Sequence, residues 1–311
     1  PQSEDSLYYQ ELILLGDAHY ISGRPDSAEW YYSKAENIAA RFPEVKDIER
    51  VYNSFGAYHY RNANYNQAIN YYKKALMLME ADDPDYTEAR VSFTYNIANA
   101  QLKLSRFQEA INSYQDLLNF GIFSEYIYLN MGLAYLRKNE LDSAEQYLRK
   151  VADSSNPKIR LSSTNGLGHL YLKTDKIDSA VSLFLQAVED NIKSYGRKNV
   201  LLNKSYLGLA LAYHHLGDYE EAVLQYKNVL SKNKLEGSTP GSRGEMFHVI
   251  SLPDLFTTYQ GMGDVMLSAY HQNKAKEYLQ KSLNNYSKAI AVARHIQKTH
   301  DNDEAKLFLV Q

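Results

Sequence analysis

The chain has 311 residues, with 34 Lys and Arg against 37 Asp and Glu for a net charge of −3. The two signs are interspersed, which argues against a general electrostatic grip on nucleic acid, since that needs a basic stripe. With no cysteine, disulfides, thiolate metal sites and cysteine nucleophiles are excluded within this chain, and no apolar run approaches the length of a membrane span.

Taken in order, the chain repeats one spacing. Small residues twelve apart occur as Gly16/Ala28, Gly56/Ala68, Ala98/Ala110, Gly132/Ala144, Gly168/Ala180, Ala210/Ala222 and Gly263/Ala275. Four residues beyond each alanine stands a large one: Tyr32, Tyr72, Tyr114, Leu148, Phe184, Tyr226 and Leu279. The physical logic is steric. Two small residues let two helix axes approach closely while larger side chains fill the space around the contact. Each stretch therefore reads as a helix–turn–helix whose small pair is in contact, and one such unit cannot bury its own apolar face, so neighbours are required. Most of the 28 tyrosines are expected to be packing residues, with the ring inside and the hydroxyl at the edge.

The first unit runs from about Tyr9 to Arg41, with Pro25 set to open its second helix. The second runs to Glu80 and stops at Asp82-Asp83-Pro84, and the third spans about Val91 to Phe120, with Gly121 as its C-terminal cap. The fourth ends near Asn156-Pro157, the fifth at Asn191 and the sixth at Asn233. The step between small residues is then 53 instead of the earlier 34 to 42, which marks an insertion. Glu236 to Gly244 reads as a mobile loop, and Phe247 and Ile250 as part of a short docking segment. A seventh unit begins near Phe256, and its second helix runs from about Lys274 to Gln297 with Leu279, Leu283, Tyr286, Ile290 and Ala293 in helical period.

The clearest copy is YLNMGLAYLRKNELDSAEQYLRKV (Tyr128 to Val151). Its Tyr128, Met131, Gly132, Tyr135 and Ala144 resemble the consensus of the tetratricopeptide repeat (TPR). The resemblance covers nearly the whole chain. It implies an all-α TPR solenoid, a right-handed superhelix of about seven repeats: residues 1–236 as repeats one to six, 237–255 as the insertion, and 256–311 as repeat seven with the start of a further helix. It also implies a protein or peptide partner held on the concave face of the first helices.

Counting around those helices places Asn53, Tyr60, Tyr95, Asn99, Tyr126, Asn165, His169, Lys204 and His215 toward that face. Tyr95, Asn99, Tyr126, Asn165 and His169 are expected to form one continuous surface. Tyrosine and asparagine there suit peptide recognition. Arg61, Lys103, Arg137 and Lys173 recur five residues after the small residue, either as a basic ladder for an acidic partner or as cations that complement a helix C-terminus. The Lys-x3-Asn start of the carboxylate clamp found in chaperone-binding TPR domains is missing, which speaks against a chaperone-tail receptor. For chemistry little survives. His214 and His215 are adjacent and point about 100° apart, His19 and His59 occupy the packing slot of Tyr135, and no catalytic constellation, metal site or cofactor site is expected.

The end of the chain, YSKAIAVARHIQKTHDNDEAKLFLVQ (Tyr286 to Gln311), resembles the last repeats of bacterial TPR proteins that continue into a CHAT domain, a caspase-like cysteine peptidase fold. Glu304, Ala305, Lys306, Leu307, Phe308 and Leu309 carry the likeness. It implies a regulatory region of a larger protein with a C-terminal peptidase-like domain; the alternative is a free-standing adaptor or sensor module. The apolar run Leu307 to Val310 is expected to open a further helix. Because the chain starts at Pro1, a cytoplasmic and, after loss of a signal peptide, a periplasmic location both fit.

Overall fold

A computed structural model of the chain describes residues 2–41, 48–79, 86–196, 201–231 and 252–299. These residues form helices and no strand, and the helices pair in chain order. The pairs are α1 (Gln2–Ile21) with α2 (Pro25–Arg41), α3 (Ile48–Arg61) with α4 (Tyr65–Leu78), and α5 (Tyr86–Lys103) with α6 (Phe107–Leu118). They continue with α7 (Ser124–Lys138) and α8 (Leu141–Arg149), α9 (Pro157–Lys173) and α10 (Ile177–Tyr195), and α11 (Leu202–Leu216) and α12 (Tyr219–Ser231). The last pair is α13 (Leu252–Asn273) and α14 (Lys276–Thr299). The helices group into two compact units, one up to Ile127 and one from Tyr128. The expected insertion loop, with Phe247 and Ile250, and the run Glu304 to Gln311 lie outside the described residues.

In the first, second, fourth and fifth pairs the small residue makes the close approach that the sequence implies. A Cβ added at Gly16 or Gly56 would lie 2.5 Å from the ring of Tyr32 or Tyr72, and one at Gly132 or Gly168 would lie 2.7 Å from Leu148 or Phe184. Ala28, Ala68, Ala98, Ala110, Ala144, Ala180, Ala210 and Ala222 are all fully buried. The large residue also reaches forward. Added Cβ atoms at Gly208 and Gly261 would meet Phe184 at 2.3 Å and Tyr226 at 2.1 Å, while one at Gly166 would meet Leu148 at 3.1 Å. Each of these three side chains therefore packs into the first helix of the following repeat, where a residue two before the small one is itself glycine. In two of the tyrosine copies the hydroxyl finishes the contact: Tyr32 donates to Asp17 (2.5 Å) and Tyr114 to Asn99 (2.6 Å).

The turns share one geometry. Gly23, Ala63, Ser105, Asn139, Asp175 and Gly217 all have positive φ, between 57° and 75°, and each follows its small residue by seven positions. A left-handed residue just past a helix lets the next amide reach back and satisfy a carbonyl of the last turn. Here Arg24, Asn64, Arg106, Glu140, Lys176 and Asp218 donate N–H to the carbonyls of His19, His59, Gln101, Tyr135, Tyr171 and Tyr213, at 2.8–3.0 Å. Glycine would be the natural choice at these positions, yet four of the six carry a side chain.

Repeat seven departs from the expected pairing. Ala275 is exposed in the turn between α13 and α14, and Leu279 does not take the large-residue slot. The partner of Gly263 is Ser282, which is 1 % exposed and donates its hydroxyl to the Gly263 carbonyl (2.9 Å). Tyr286, four residues on, fills the contact, 2.7 Å from an added Gly263 Cβ, and donates to Asp264 (2.6 Å). The left-handed turn residue is Lys274 (φ 58°), eleven residues after Gly263 and eight before Ser282 instead of seven and five. The first helix is thus four residues longer and the second three. That is about one turn each, and a whole turn preserves the faces that meet. The buried line of α14 consequently runs through Ser282, Asn285, Ala289 and Ile296, while Leu283 (53 %) and Ile290 (51 %) face solvent.

Candidate functional site on the first helices

In the unit up to Ile127, the residues expected on the exposed face are largely engaged in holding the repeats. Tyr95 packs against Tyr114 (6.0 Å between centroids) and Phe123 (5.3 Å), and Asn99 accepts the Tyr114 hydroxyl. Tyr60 lies edge-on to Tyr65 at 5.4 Å. Asn53 and Tyr126 are half-buried, and Lys103 is exposed at the end of α5. Arg61, also exposed, stacks over Tyr20 of the preceding repeat, 4.4 Å from its centroid. Asn99 and Tyr95 sit where the spacing puts them, but their polar and aromatic surfaces already serve the fold.

The histidines of the packing slot behave as expected. His19 stacks on Tyr31 (5.0 Å) and His59 on Tyr71 (5.2 Å), in the manner of Tyr135 on Tyr147 (5.5 Å). Burial lowers the His59 pKa, with Glu29 opposing it in part. His214 Nε2 lies 2.9 Å from the Ser268 hydroxyl. Among the described residues no cluster of three or more His, Asp or Glu could hold a metal ion, and no helix is long and apolar enough to cross a membrane.

The unit from Tyr128 is different, because it brings several of the expected residues together. Asn165, His169 and Lys173 follow one another at four-residue intervals on α9 and so share a face. Arg137 on α7 occupies the repeat position of Lys173 one repeat earlier. Lys204 stands on α11, which packs against α9. His169 lies edge-on to Phe184, with centroids 5.1 Å apart. Burial and then the charges of Arg137, Lys204 and Lys173 push its pKa down to about 4. Lys173 donates to the Asn139 side chain (3.1 Å) in the preceding turn, and His215 is exposed at the end of α11. Asn165 is not a solvated groove residue: it is 8 % exposed, and its Oδ1 has no hydrogen-bond donor. The chain interior crowds it, since neighbouring Gly166 packs directly on Leu133 and Leu148.

Sequence reasoning passed over Asn203 and Ser205 on α11. They are 1 % and 0 % exposed, and Asn203 Oδ1 and Ser205 Oγ lack partners. No motif marks them. Only the proximity of α11 to its neighbours makes them internal.

Comparison with known proteins agrees with this geometry. Tetratricopeptide-repeat profiles match residues 49–81, 95–158 and 160–231, together more than half of the chain. The anaphase-promoting complex subunit CDC16 of Saccharomyces cerevisiae is 26 % identical over 196 residues, covering 63 % of this chain and 20 % of that protein. The chain spans half the length or less of the curated relatives it matches. Among solved structures, the apo form of RapI aligns over 93 % of this chain and 99 % of its own, with a TM-score of 0.70 at 15 % identity. The Rap conjugation gene regulator of plasmid pLS20, solved with the Phr* peptide, aligns over 94 % and 77 %, with a TM-score of 0.54 at 16 % identity.

Proposed function

The chain belongs to the tetratricopeptide-repeat family, and we propose that it is a protein-interaction scaffold that binds a peptide or protein partner on the exposed face of its first helices. One observation carries the reading. Arg61, Lys103, Arg137, Lys173 and His215 stand five residues after the small residue of five successive repeats, and all five are exposed. Tyr60, Tyr95 and the alanines of the same helices are taken up by packing, so a repeated polar side chain outside the core is what a partner can reach. That CDC16 is named as a subunit of a complex, and that the pLS20 Rap protein was solved with a peptide, supports the same reading by analogy. The site is a binding surface, and no reaction is assigned to it.

The structure refines which residues test this. Asn99 and Tyr95 are poor probes, because their loss would disturb Tyr114. Peptide ligands selected from a display library on the folded chain are expected to lose about 1 kcal/mol or more on Tyr126→Ala or Lys103→Ala. Trp30→Ala, on the second helix α2, is expected to leave them unchanged. Affinity that depends on Trp30 and ignores both first-helix residues would place the site elsewhere.

A place within a larger CHAT-type protein, with a peptidase-like domain after this region, is the narrower form of the proposal. It rests on the likeness of the run Tyr286 to Gln311, with Glu304 to Leu309 as the helix that leads toward the peptidase, and a coding sequence that continues past Gln311 without a caspase-like domain would remove it in favour of a separate adaptor or sensor.

A further inference from the structure

Helix α1 carries an apolar stripe on its outer side. Leu7, Tyr8, Leu14, Leu15 and Ile21 are all exposed, and together with Glu11 and Ala18 they lie within about 140° of the helix circumference. We infer that this stripe is a self-association surface, which pairs α1 antiparallel with α1 of a second copy of the chain. The inference is separate from the partner reading above, and its test needs the chain alone.

Repeat one departs from the other repeats on this face, and always toward apolar residues in the open. Two positions before the small residue, the other repeats hold Ser54, Asn96, Asn130, Gly166, Gly208 and Gly261. At the three glycines a large side chain of the preceding repeat packs in. Repeat one has Leu14 there, 67 % exposed. One position before the small residue, Phe55, Ile97, Met131, Leu167, Leu209 and Met262 are buried, whereas Leu15 is exposed. Five positions after it, repeats two to six hold Arg61, Lys103, Arg137, Lys173 and His215. Repeat one has Ile21, 79 % exposed. A leucine cannot receive a large ring as Gly208 receives Phe184, so the stacking used between these repeats does not account for Leu14. Solubility does not account for it either, because the polar residues of the other repeats serve that end better.

The stripe fits a copy of itself. A two-fold axis between Leu14 and Leu15 sets Leu14 against Leu15 of the second copy, and Tyr8 against Ile21. Glu11, the charge within the stripe, then meets Ala18, whose small side chain leaves the carboxylate room to turn to water. A two-fold contact uses one patch twice and requires no other surface, and antiparallel helices set opposite dipole ends side by side. The five apolar side chains expose roughly 500 Å² in each copy, the size at which a patch on a monomer is often functional. Two copies together bury roughly 1,000 Å², the lower limit for a specific interface. Reversible pairing follows from an area of that size.

Sedimentation velocity on the full chain is expected to show a weight-average mass that rises from one chain toward two between about 1 and about 100 μM. The double variant L14S/I21R gives repeat one the residues that repeat two holds at the same positions. It should keep the helical spectrum of the parent and lose at least about tenfold in association. Because the chain has no cysteine, single cysteines report the arrangement. Leu14→Cys, beside the two-fold axis, should form an interchain disulfide under mild oxidant. Leu7→Cys, about 22 Å along the pair from its copy, should not.

A mass that stays at one chain up to about 100 μM overturns the inference, as does a dimer that L14S/I21R leaves unchanged. Disulfide formation by Leu7→Cys as fast as by Leu14→Cys overturns the antiparallel pairing. If the chain stays single but floats with phosphatidylcholine vesicles, and L14S/I21R does not, the stripe faces lipid and the inference falls. Should L14S/I21R fail to fold, the two cysteine variants decide alone. Peptide ligands that depend on Tyr126 or Lys103 are untouched by these outcomes, so the scaffold reading stands or falls separately.

Discussion

Phe184 shows how one side chain joins two repeats. It is fully buried and lies between Gly168 of its own repeat and Gly208 of the next, with His169 against its edge. A ring so enclosed cannot swing aside, so even one methyl group at Gly208, 2.3 Å from the ring, must displace a helix or distort a rotamer. Gly208→Ala is expected to destabilise the protein by about 1–3 kcal/mol, read as a lower urea midpoint at unchanged slope. A neutral result would mean that the Phe184 ring can yield at this contact. The same scale explains Asn99: its amide is fixed by Tyr114, so a residue placed for recognition by spacing alone turns out to be a strut.

At the scale of the element, the last helix pair carries the lesson about register. Adding four residues to α13 and three to α14 lengthens both by about a turn, so Gly263 still faces a small residue, but that residue is Ser282. Two substitutions separate this pairing from the one that the twelve-residue spacing implies. Ala275→Leu, at an exposed turn position, is expected to change stability by less than about 0.5 kcal/mol. Ser282→Leu puts a large side chain into a site with 1 % exposure and removes the hydrogen bond to Gly263, at an expected cost of about 1–3 kcal/mol. The opposite order of effects in thermal melts would restore Ala275 as the packing residue.

Across the whole molecule, the described histidines with resolved shifts lean the same way. Burial is the leading cause of the lowered pKa values of His59, His169 and His214, and for His169 the neighbouring cations add to it. A histidine held neutral in the folded state makes no demand above its unfolded pKa of about 6.5. Below that, the unfolded chain takes up a proton which the folded chain refuses, so stability falls as the pH drops. For His169 the fall continues to about 4, with a limiting slope of about 1.4 kcal/mol per pH unit. Chemical denaturation at pH 7, 6 and 5 is therefore expected to show progressive loss, and His169→Gln to flatten part of it. A stability that is constant or rising over that range in the parent chain would contradict the burial of these rings.

The sequence by itself determined the helix pairs, their number and the identity of the contact residues in six of seven repeats. Small residues at a fixed spacing leave only one way for two helices to approach, and that constraint is local. It also determined that His19 and His59 are packing residues, because they stand in a slot that a tyrosine fills elsewhere. The tertiary structure decided what depends on neighbours. Which first-helix polar groups are spent on the fold, as Asn99 is, and which are gathered, as Arg137, His169, Lys173 and Lys204 are, follows from the packing of successive helices. The same holds for Asn165, Asn203 and Ser205, which no pattern marks as internal and which are enclosed only because another helix lies over them. The register of the last pair was hidden for a related reason. A spacing rule counts residues along the chain, whereas packing counts turns, and two added turns leave the contact intact while the count changes by seven.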